Sequence, residues 1–594
     1  MMKRNSYIYV LIISVFAMTA CEGVLDPLDS GLYTDGNIDE FPSLISGFVD
    51  KAYQQIDNNY RENEFIYLDC ATDDAVVTSP THVMGKFGRG TIKQTDDPFE
   101  TYWQRDYTGI FYVNRFLKDR VGLNTQYLIN HKQDSLMRHN YHGDALGLRA
   151  WFYYDLLQKF GGVAENGELL GVPLITEDFD QNSADQHSIP RATYDDCVKR
   201  ILDDCDSAML YLPRANRDWC AEDLSVQGSV RWRRLDQVSI TALKAMTYLM
   251  WASDAYNPQK DVTRWEKAAE YAAEAIKFKL EEDGSRGFNP LKPVDWTDPN
   301  SSEIYWASRV FSAASTMELA QYPSGFRGTA LYTPTQELVD AFPMANGYPI
   351  TDYRSGYDPE NPYAGRDPRF YSTIFHNGSQ IVRPSTNAVM HTFETFVGGV
   401  DASGLVDNGL TNYYLKKHIY LEWNRSDKEQ QKLPRCLFLI RWTDMLLTFA
   451  EASNRAFGPR DSRFGISAKQ AVRYLRQRTT SDGLSGLGIA SDPYLDECAA
   501  SSEKFEALIR NERRIETCFE GKRFFDLSRW NVPLPQRNAA VHRVEITKDE
   551  NGKLHYRYLE ADRRNLQSAS WPIPYSEMIN AKGLVQNSGW ESWK

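Results

Sequence analysis

Four groups of side chains in this sequence have the type and spacing to do chemistry: a thiol near the start, two histidines a helical turn apart, a short acidic run, and aromatic rings set in Gly- and Pro-rich stretches. Cys21 follows the apolar segment Ile8 to Ala20, which Lys3 and Arg4 precede. That segment suits the core of an export signal and is shorter than the roughly 20 residues a bilayer span needs. Thr19 and Ala20 lead into Cys21 as in a lipobox, where the thiol is acylated, residues 1–20 are removed and the cysteine heads the mature chain. The competing reading is an ordinary secretory signal with an incidental cysteine; a rare residue falling at the cleavage point favours the lipid anchor. His139 and His142 are spaced to share one helix face, yet no cysteine or acid nearby completes a metal site, so they read as solvated helix residues. Asp295, Asp298, Asn300 and Glu303 supply oxygen ligands of the kind a structural calcium takes, without EF-hand spacing or its glycine.

No HExxH, GxSxG or GxxxxGK motif occurs, and the residues imply no organic cofactor. A dispersed carboxylate pair of the glycosidase kind is set in space rather than in spacing, so a surface hydrolase remains an alternative. The formal net charge of -13 argues against a nucleic-acid partner, which needs a concentrated basic face. Eight cysteines leave seven once Cys21 is acylated, without a CxxC pair, which predicts free buried thiols and no disulfide framework. Beyond the leader no apolar run is long enough to span a bilayer, and the mean hydropathy of -0.52 is that of a hydrated body.

The elements that must position these groups are mainly helices. Apolar residues recur at three-and-four spacing in FETYWQRDYTGIFYVNRFL, DALGLRAWFYYDLLQKF, TYDDCVKRILDDCDSAMLYL, SITALKAMTYLMWASDAY and RWEKAAEYAAEAIKFKL. Cys197 and Cys205 then share one helix about 12 Å apart, beyond disulfide reach. Trp265 followed by Ala268, Ala269, Ala272 and Ala273 gives a bulky residue and then a row of small ones, the packing logic of tetratricopeptide-type repeats. Residues 283 to 435 turn to Gly, Pro, Asn and aromatics with little periodicity, as ordered loops do. Helical patterning returns at FLIRWTDMLLTFAEASNRAF and SAKQAVRYLRQR, and Asn551-Gly552 predicts a hairpin turn within VEITKDENGKLHYRY.

In the C-terminal third, FEALIRNERRIETCFEGKRFFDLSRW (505 to 530) sets apolar residues on one helix face with Arg and Glu interleaved. This stretch closely resembles the signature of the SusD/RagB family of outer-membrane nutrient-binding lipoproteins. CEGVLDP, KFGGVAENGELLGVPLI, TPTQELVDAF, RDPRF, LIRWTDMLLTFAEA and WPIPYSEMINAKGLVQNSGW match as well, in order, over nearly the whole mature chain. Departures are Ser588, where proline is common, and Thr517 to Phe519, where an apolar-small pair is usual.

The resemblance implies a mainly α fold: a tetratricopeptide-like helical scaffold carrying a large irregular, loop-rich ligand side. It divides the chain into the signal peptide 1–20, an N-terminal region 21–282 and a C-terminal region 283–594, integrated in one body. It further implies a lipid-anchored, surface-exposed position on the outer membrane, a TonB-dependent SusC-like transporter as partner and an oligosaccharide as ligand, with peptide capture as the alternative and no catalysis. The aromatic fraction of 13% suits stacking on sugar faces. Ligand contacts are expected in two stretches: Asp74, Arg89 and Trp103, near a helix start where the family often binds ligand, and Trp296, Trp306, Tyr322 and Phe326 in the irregular region. Tyr322 leads, because Pro323 and Gly325 mark a turn expected to expose its ring.

Overall fold

In the computed structural model of the protein, the described residues are 41–57, 68–179, 189–281, 288–292, 294–313, 316–405, 408–422, 433–478 and 491–593. The leader and Cys21 lie outside them. Among the described residues nine helices carry the scaffold: α1 (Pro42–Asp57), α2 (Phe99–Leu117), α3 (His131–Phe160), α4 (Tyr194–Met209), α5 (Gln237–Ala252), α6 (Val262–Glu281), α7 (Trp442–Phe457), α8 (Ala468–Arg476) and α9 (Ser502–Thr517). Their ends follow the local sequence. Asn130 accepts from the Lys132 and Gln133 amides to start α3, Thr193 from Asp196 to start α4, and Asp236 forms a capping box with Ser239 at α5.

The helices pack largely in chain order, α1 on α2, α2 on α3, α3 on α4, α4 on α5, α5 on α6, and α6 on α7, which also meets α8 and α9. This is the solenoid-like arrangement that the helical spacing predicts. The small-residue row explains one junction: Ala268, Ala269, Ala272 and Ala273 are buried in α6, which lies against both α5 and α7. Gly109 does the same for α2 and α3, since a Cβ there would stand 2.3 Å from the Phe152 ring. Buried apolar side chains from Ile45 to Trp593 form the main core, so the segment around Trp590 and Trp593 is built into the same body as α1.

Strands only pin loops together. All sheets among the described residues have two strands. The ones used below are β1 (Ala75–Val77), β2 (Ile304–Ala307), β3 (Tyr332–Pro334), β4 (Phe438–Arg441), β5 (Ala540–Lys548) and β6 (Leu554–Arg563). β1 pairs with β3, and β2 with β4, setting Trp306 opposite Ile440. β5 and β6 form the expected hairpin; Asp549 accepts from the Asn551 and Lys553 amides at 2.9 Å, and Gly552 takes φ +82° at the turn.

The interleaved charges of α9 are a framework. Glu512 accepts from Arg369 at 2.7 Å and Arg476 at 2.5 Å, Arg514 from the same helix donates to Asp74 at 2.7 Å, and Arg513 pairs with Asp526 at 2.7 Å. Every one of these helix residues is wholly or mostly covered, so the family signature ties the loop side to the repeats. Phe519, one of the departures from the family pattern, takes φ +58° and donates its amide to Asp69. Among the described cysteines all are free, and Cys197 and Cys205 are buried in α4, where burial pushes both thiols up.

Candidate functional site

The seven expected ligand residues are not brought together. Asp74 is wholly buried against Arg514, and Arg89 pairs with Asp562 at 3.2 Å and with the Pro80 carbonyl at 3.0 Å. Trp103 is 4% exposed, set edge-on to Phe160 at 5.1 Å inside the α2–α3 contact. Tyr322 is 0% exposed, which corrects the expectation drawn from its turn. The turn does reach the surface, but the Gly328 amide closes it on Pro323 and the Ala330 amide returns to the Tyr322 carbonyl, which sends the ring inward among Phe375, Ile381, Phe393 and Tyr414.

Phe326 is half-buried beside this cluster, 5.3 Å from His391, which itself contacts Asp401 at 2.9 Å. Trp296 is also half-buried, boxed by His418 at 4.4 Å, Phe438 at 5.2 Å, Lys417 and Arg441. Its faces are occupied by protein groups. The acidic run near it does not gather around a cation position. Asp295 and Asp298 hold the amides of Thr297 and Asn300, whereas Glu303 is buried against Arg441 and Arg478. His139 and His142 both lie against Tyr211, and burial, reinforced by Arg120, depresses His142 to about 4. Among the described residues no group of three His, Cys, Asp or Glu side chains has metal-binding geometry.

Of the seven, Trp306 lines a cleft that opens to solvent. It is 1% exposed, edge-on to Trp151 at 4.9 Å, and its indole N–H donates to the Arg233 carbonyl at 3.1 Å. That bond fixes the segment VRWRRLD (230 to 236), which leads into α5. The segment divides its side chains between two sides. Arg231 and Arg234 turn inward to Asp144 of α3, at 2.8 Å and 3.2 Å, where Tyr53 of α1 also donates at 2.9 Å. Trp232 and Arg233 are left on the outer side. Arg233 takes φ +74°, unusual for a side-chain-bearing residue, and its guanidinium donates to the Ser308 and Pro299 carbonyls at 3.2 and 2.6 Å and to Asn300 Oδ1 at 3.2 Å.

The result is a cleft of about 340 Å³ lined by Asp50, Tyr53, Trp232, Arg233, Trp306 and Arg309. A smaller hollow of about 30 Å³ shares Trp232, Arg233 and Trp306 and continues toward Phe278 of α6. Asp50 and Arg309 stand at the rim, Arg309 being 45% exposed on its side chain. Trp232 is half-buried, and the Arg217 guanidinium sits over its ring at 4.2 Å. A flat ring flanked by fixed guanidiniums is suited to a ligand with both apolar faces and hydrogen-bonding edges. Sequence reasoning missed Trp232, although the interleaving of one tryptophan with three arginines just before a capping box was visible.

A second cavity, about 170 Å³, lies between α3, α5 and the segment after α9, with Trp151, Tyr154, Met250, Arg513 and Trp571 in its wall. Its charges are spent internally: Arg513 and Arg529 on Asp526, Lys522 on Asp444. Most of that wall is buried.

Paired helices stacked in sequence, backing a face of loops and two-stranded ribbons with an aromatic cleft, define a helical-repeat scaffold protein with a loop-built recess. Among the described residues no helix is long and apolar enough to cross a membrane. The chain belongs to the SusD family: residues 294–590 match that family's sequence model, and residues 28–221 match a SusD-like model described as starch-binding associating with outer membrane. A SusD-like protein P38 from Formosa agariphila is 21% identical over 98% of this chain and 99% of its own length. A solved SusD-like protein from Bacteroides fragilis superposes with a TM-score of 0.69 at 23% identity, covering 93% of this chain and 98% of that one. A SusD-like carbohydrate-binding protein from the same organism gives 0.67 at 18% identity, covering 92% and 99%.

Proposed function

We propose that the protein is a cell-surface lipoprotein of the outer membrane that captures oligosaccharide in the Trp232 cleft and passes it, uncleaved, to a TonB-dependent SusC-like transporter. The observation carrying this reading is the half-buried Trp232 ring beside the Arg233 and Arg309 guanidiniums in an open cleft of about 340 Å³, within the size range of small-molecule sites. The family description of starch binding and outer-membrane association, and a carbohydrate-binding protein of the same fold, support it. Cys21 supplies the anchor; Cys21→Ala should release the protein from the membrane fraction or leave it unprocessed, and a mature, membrane-bound variant would refute the anchor.

Titration calorimetry with an oligosaccharide panel tests the cleft. Loss of a stacking ring in Trp232→Ala should weaken binding by about 1 kcal/mol, or about five-fold, with the melting midpoint nearly unchanged. Equal affinity of the folded variant for every glycan would remove the cleft from the site, and tight binding of peptides with none of glycans would overturn the ligand class. Mild-detergent purification of the tagged protein should recover a β-barrel partner; recovery of the tagged chain alone would count against a stable complex.

A further inference from the structure

The chain as a whole carries a net charge of -13, but the cleft wall has the opposite sign. Of the charged side chains lining the larger recess, Arg233, Arg234 and Arg309 are cationic and Asp50 alone is anionic. In the adjoining hollow Arg217 and Lys279 are set against Asp236. Both acids are already engaged. Asp50 is shared between Arg234 and Arg309, the latter at 3.5 Å. Asp236 caps α5 by accepting from the Ser239 amide at 2.8 Å and also accepts from the Asn216 amide at 2.9 Å.

Arg233 differs from its neighbours. Its guanidinium partners are neutral groups, the Ser308 and Pro299 carbonyls, Asn300 Oδ1 and the Cys436 thiol, and no described carboxylate pairs with it. These bonds hold the group at the cleft wall without cancelling its charge. Arg191 and Arg366 are likewise held by neutral oxygens, but they are buried and do not line the cleft; at an open wall, a neutral sugar needs hydrogen-bond donors but gains nothing from uncompensated positive charge. An anion gains directly, and guanidinium is the side chain whose fork fits carboxylate, phosphate and sulfate oxygens. The chain's net negative charge disfavours polyanions on average, so a local group of guanidiniums is the kind of feature such a ligand would need.

We propose that the captured glycan carries anionic groups, carboxylates or sulfate esters, which meet Arg233 and Arg309 while Trp232 takes a sugar face. This rests on the cleft being the glycan site. The test titrates the mature protein in detergent with matched pairs of probes: xylo-oligosaccharides with and without glucuronate branches, and galactan hexasaccharides with and without sulfate esters. At least one anionic member should bind about ten-fold more tightly than its neutral counterpart at low salt, and the advantage should shrink several-fold between about 50 and about 500 mM NaCl. The pair that shows it distinguishes carboxylate from sulfate. Arg309→Gln, at the exposed rim, and Arg233→Gln should each remove most of the advantage, Arg309→Gln without moving the melting midpoint. Equal or tighter binding of the neutral probes, an advantage that survives both substitutions, or no binding of any anionic probe would overturn the proposal. If Trp232→Ala weakens a neutral glycan that has no disadvantage against its anionic partner, only this inference fails; if it weakens no probe, the cleft reading fails with it.

Discussion

Trp306→Phe probes the link between the scaffold and the cleft. Phenylalanine keeps an aromatic ring against Trp151 but deletes the indole N–H that donates to the Arg233 carbonyl at 3.1 Å. The direct cost is the net worth of one hydrogen bond, about 0.5–1.5 kcal/mol, and a buried carbonyl left without its donor adds desolvation, for about 1–3 kcal/mol in all. The smaller ring leaves a void in a 1%-exposed site, worth about 1 kcal/mol more. The sum is about 2–4 kcal/mol. With an unfolding entropy of roughly 2.1 cal/mol/K per residue, a chain of 594 residues has about 1.2 kcal/mol/K, so the melting midpoint should fall by only about 2–3 °C if unfolding is cooperative. The functional effect should be larger in proportion. Arg233 sits at φ +74°, a conformation costing about 1 kcal/mol for a residue with a Cβ, and without its anchor the segment relaxes toward φ below zero and carries Trp232 out of place. Scanning calorimetry and titration calorimetry on the same preparation would read both, with glycan affinity expected to fall about five-fold, for about 1 kcal/mol. An unchanged midpoint would show that the hydrogen bond contributes nothing net. Unchanged affinity with a lowered midpoint would show that Trp306 supports the fold and not the cleft.

Glu512→Gln should destabilise by about 1.5–3 kcal/mol, because it weakens the charged hydrogen bonds that Arg369 and Arg476 share, while Arg369 keeps Asp367 and Glu516 and Arg476 keeps Asp492; denaturant melts would measure it, and a loss under 1 kcal/mol (about the worth of an exposed pair) would refute the hub role. Burial raises the Glu512 carboxyl, but Arg369 and Arg476 outweigh it and hold the group below the ordinary range. A folded-state pKa below the unfolded value gives stability that is present above about pH 4.5 and is lost as pH falls below it. Glu451, lowered to about 2 where Arg529 outweighs its burial, behaves alike. Wild type should therefore lose stability between about pH 4.5 and 2 more steeply than Glu512→Gln, and parallel acid melts would contradict the assignment. Gly109→Ala should cost about 1–3 kcal/mol as its Cβ meets the Phe152 ring; a variant as stable as wild type would mean that α2 and α3 separate freely.

The helices were legible because their information is local. Apolar spacing marked α2 to α7, and the alanine row of α6 announced a helix that a neighbour can approach closely. Asn551-Gly552 gave the hairpin for the same reason, since the turn's left-handed residue is chemically obvious. Which rings line the cleft was not legible, because exposure in a loop is decided by partners far along the chain. Tyr322 lies beside a true surface turn, yet its ring is drawn inward by Phe393 and Tyr414. Trp103 follows helical spacing on α2, but α1 and α3 cover that helix from both sides. Trp232 shows the reverse case: within VRWRRLD it resembles one member of a basic run, and it reaches the cleft because Arg231 and Arg234 are claimed by Asp144, 87 and 90 residues earlier. The signature helix α9 uses its four central charges in the opposite way. Glu512, Arg513, Arg514 and Glu516 are each matched by partners in other elements, so charge there is cancelled to hold the loops in place, whereas Arg233, bonded to neutral groups, keeps its charge at the cleft wall.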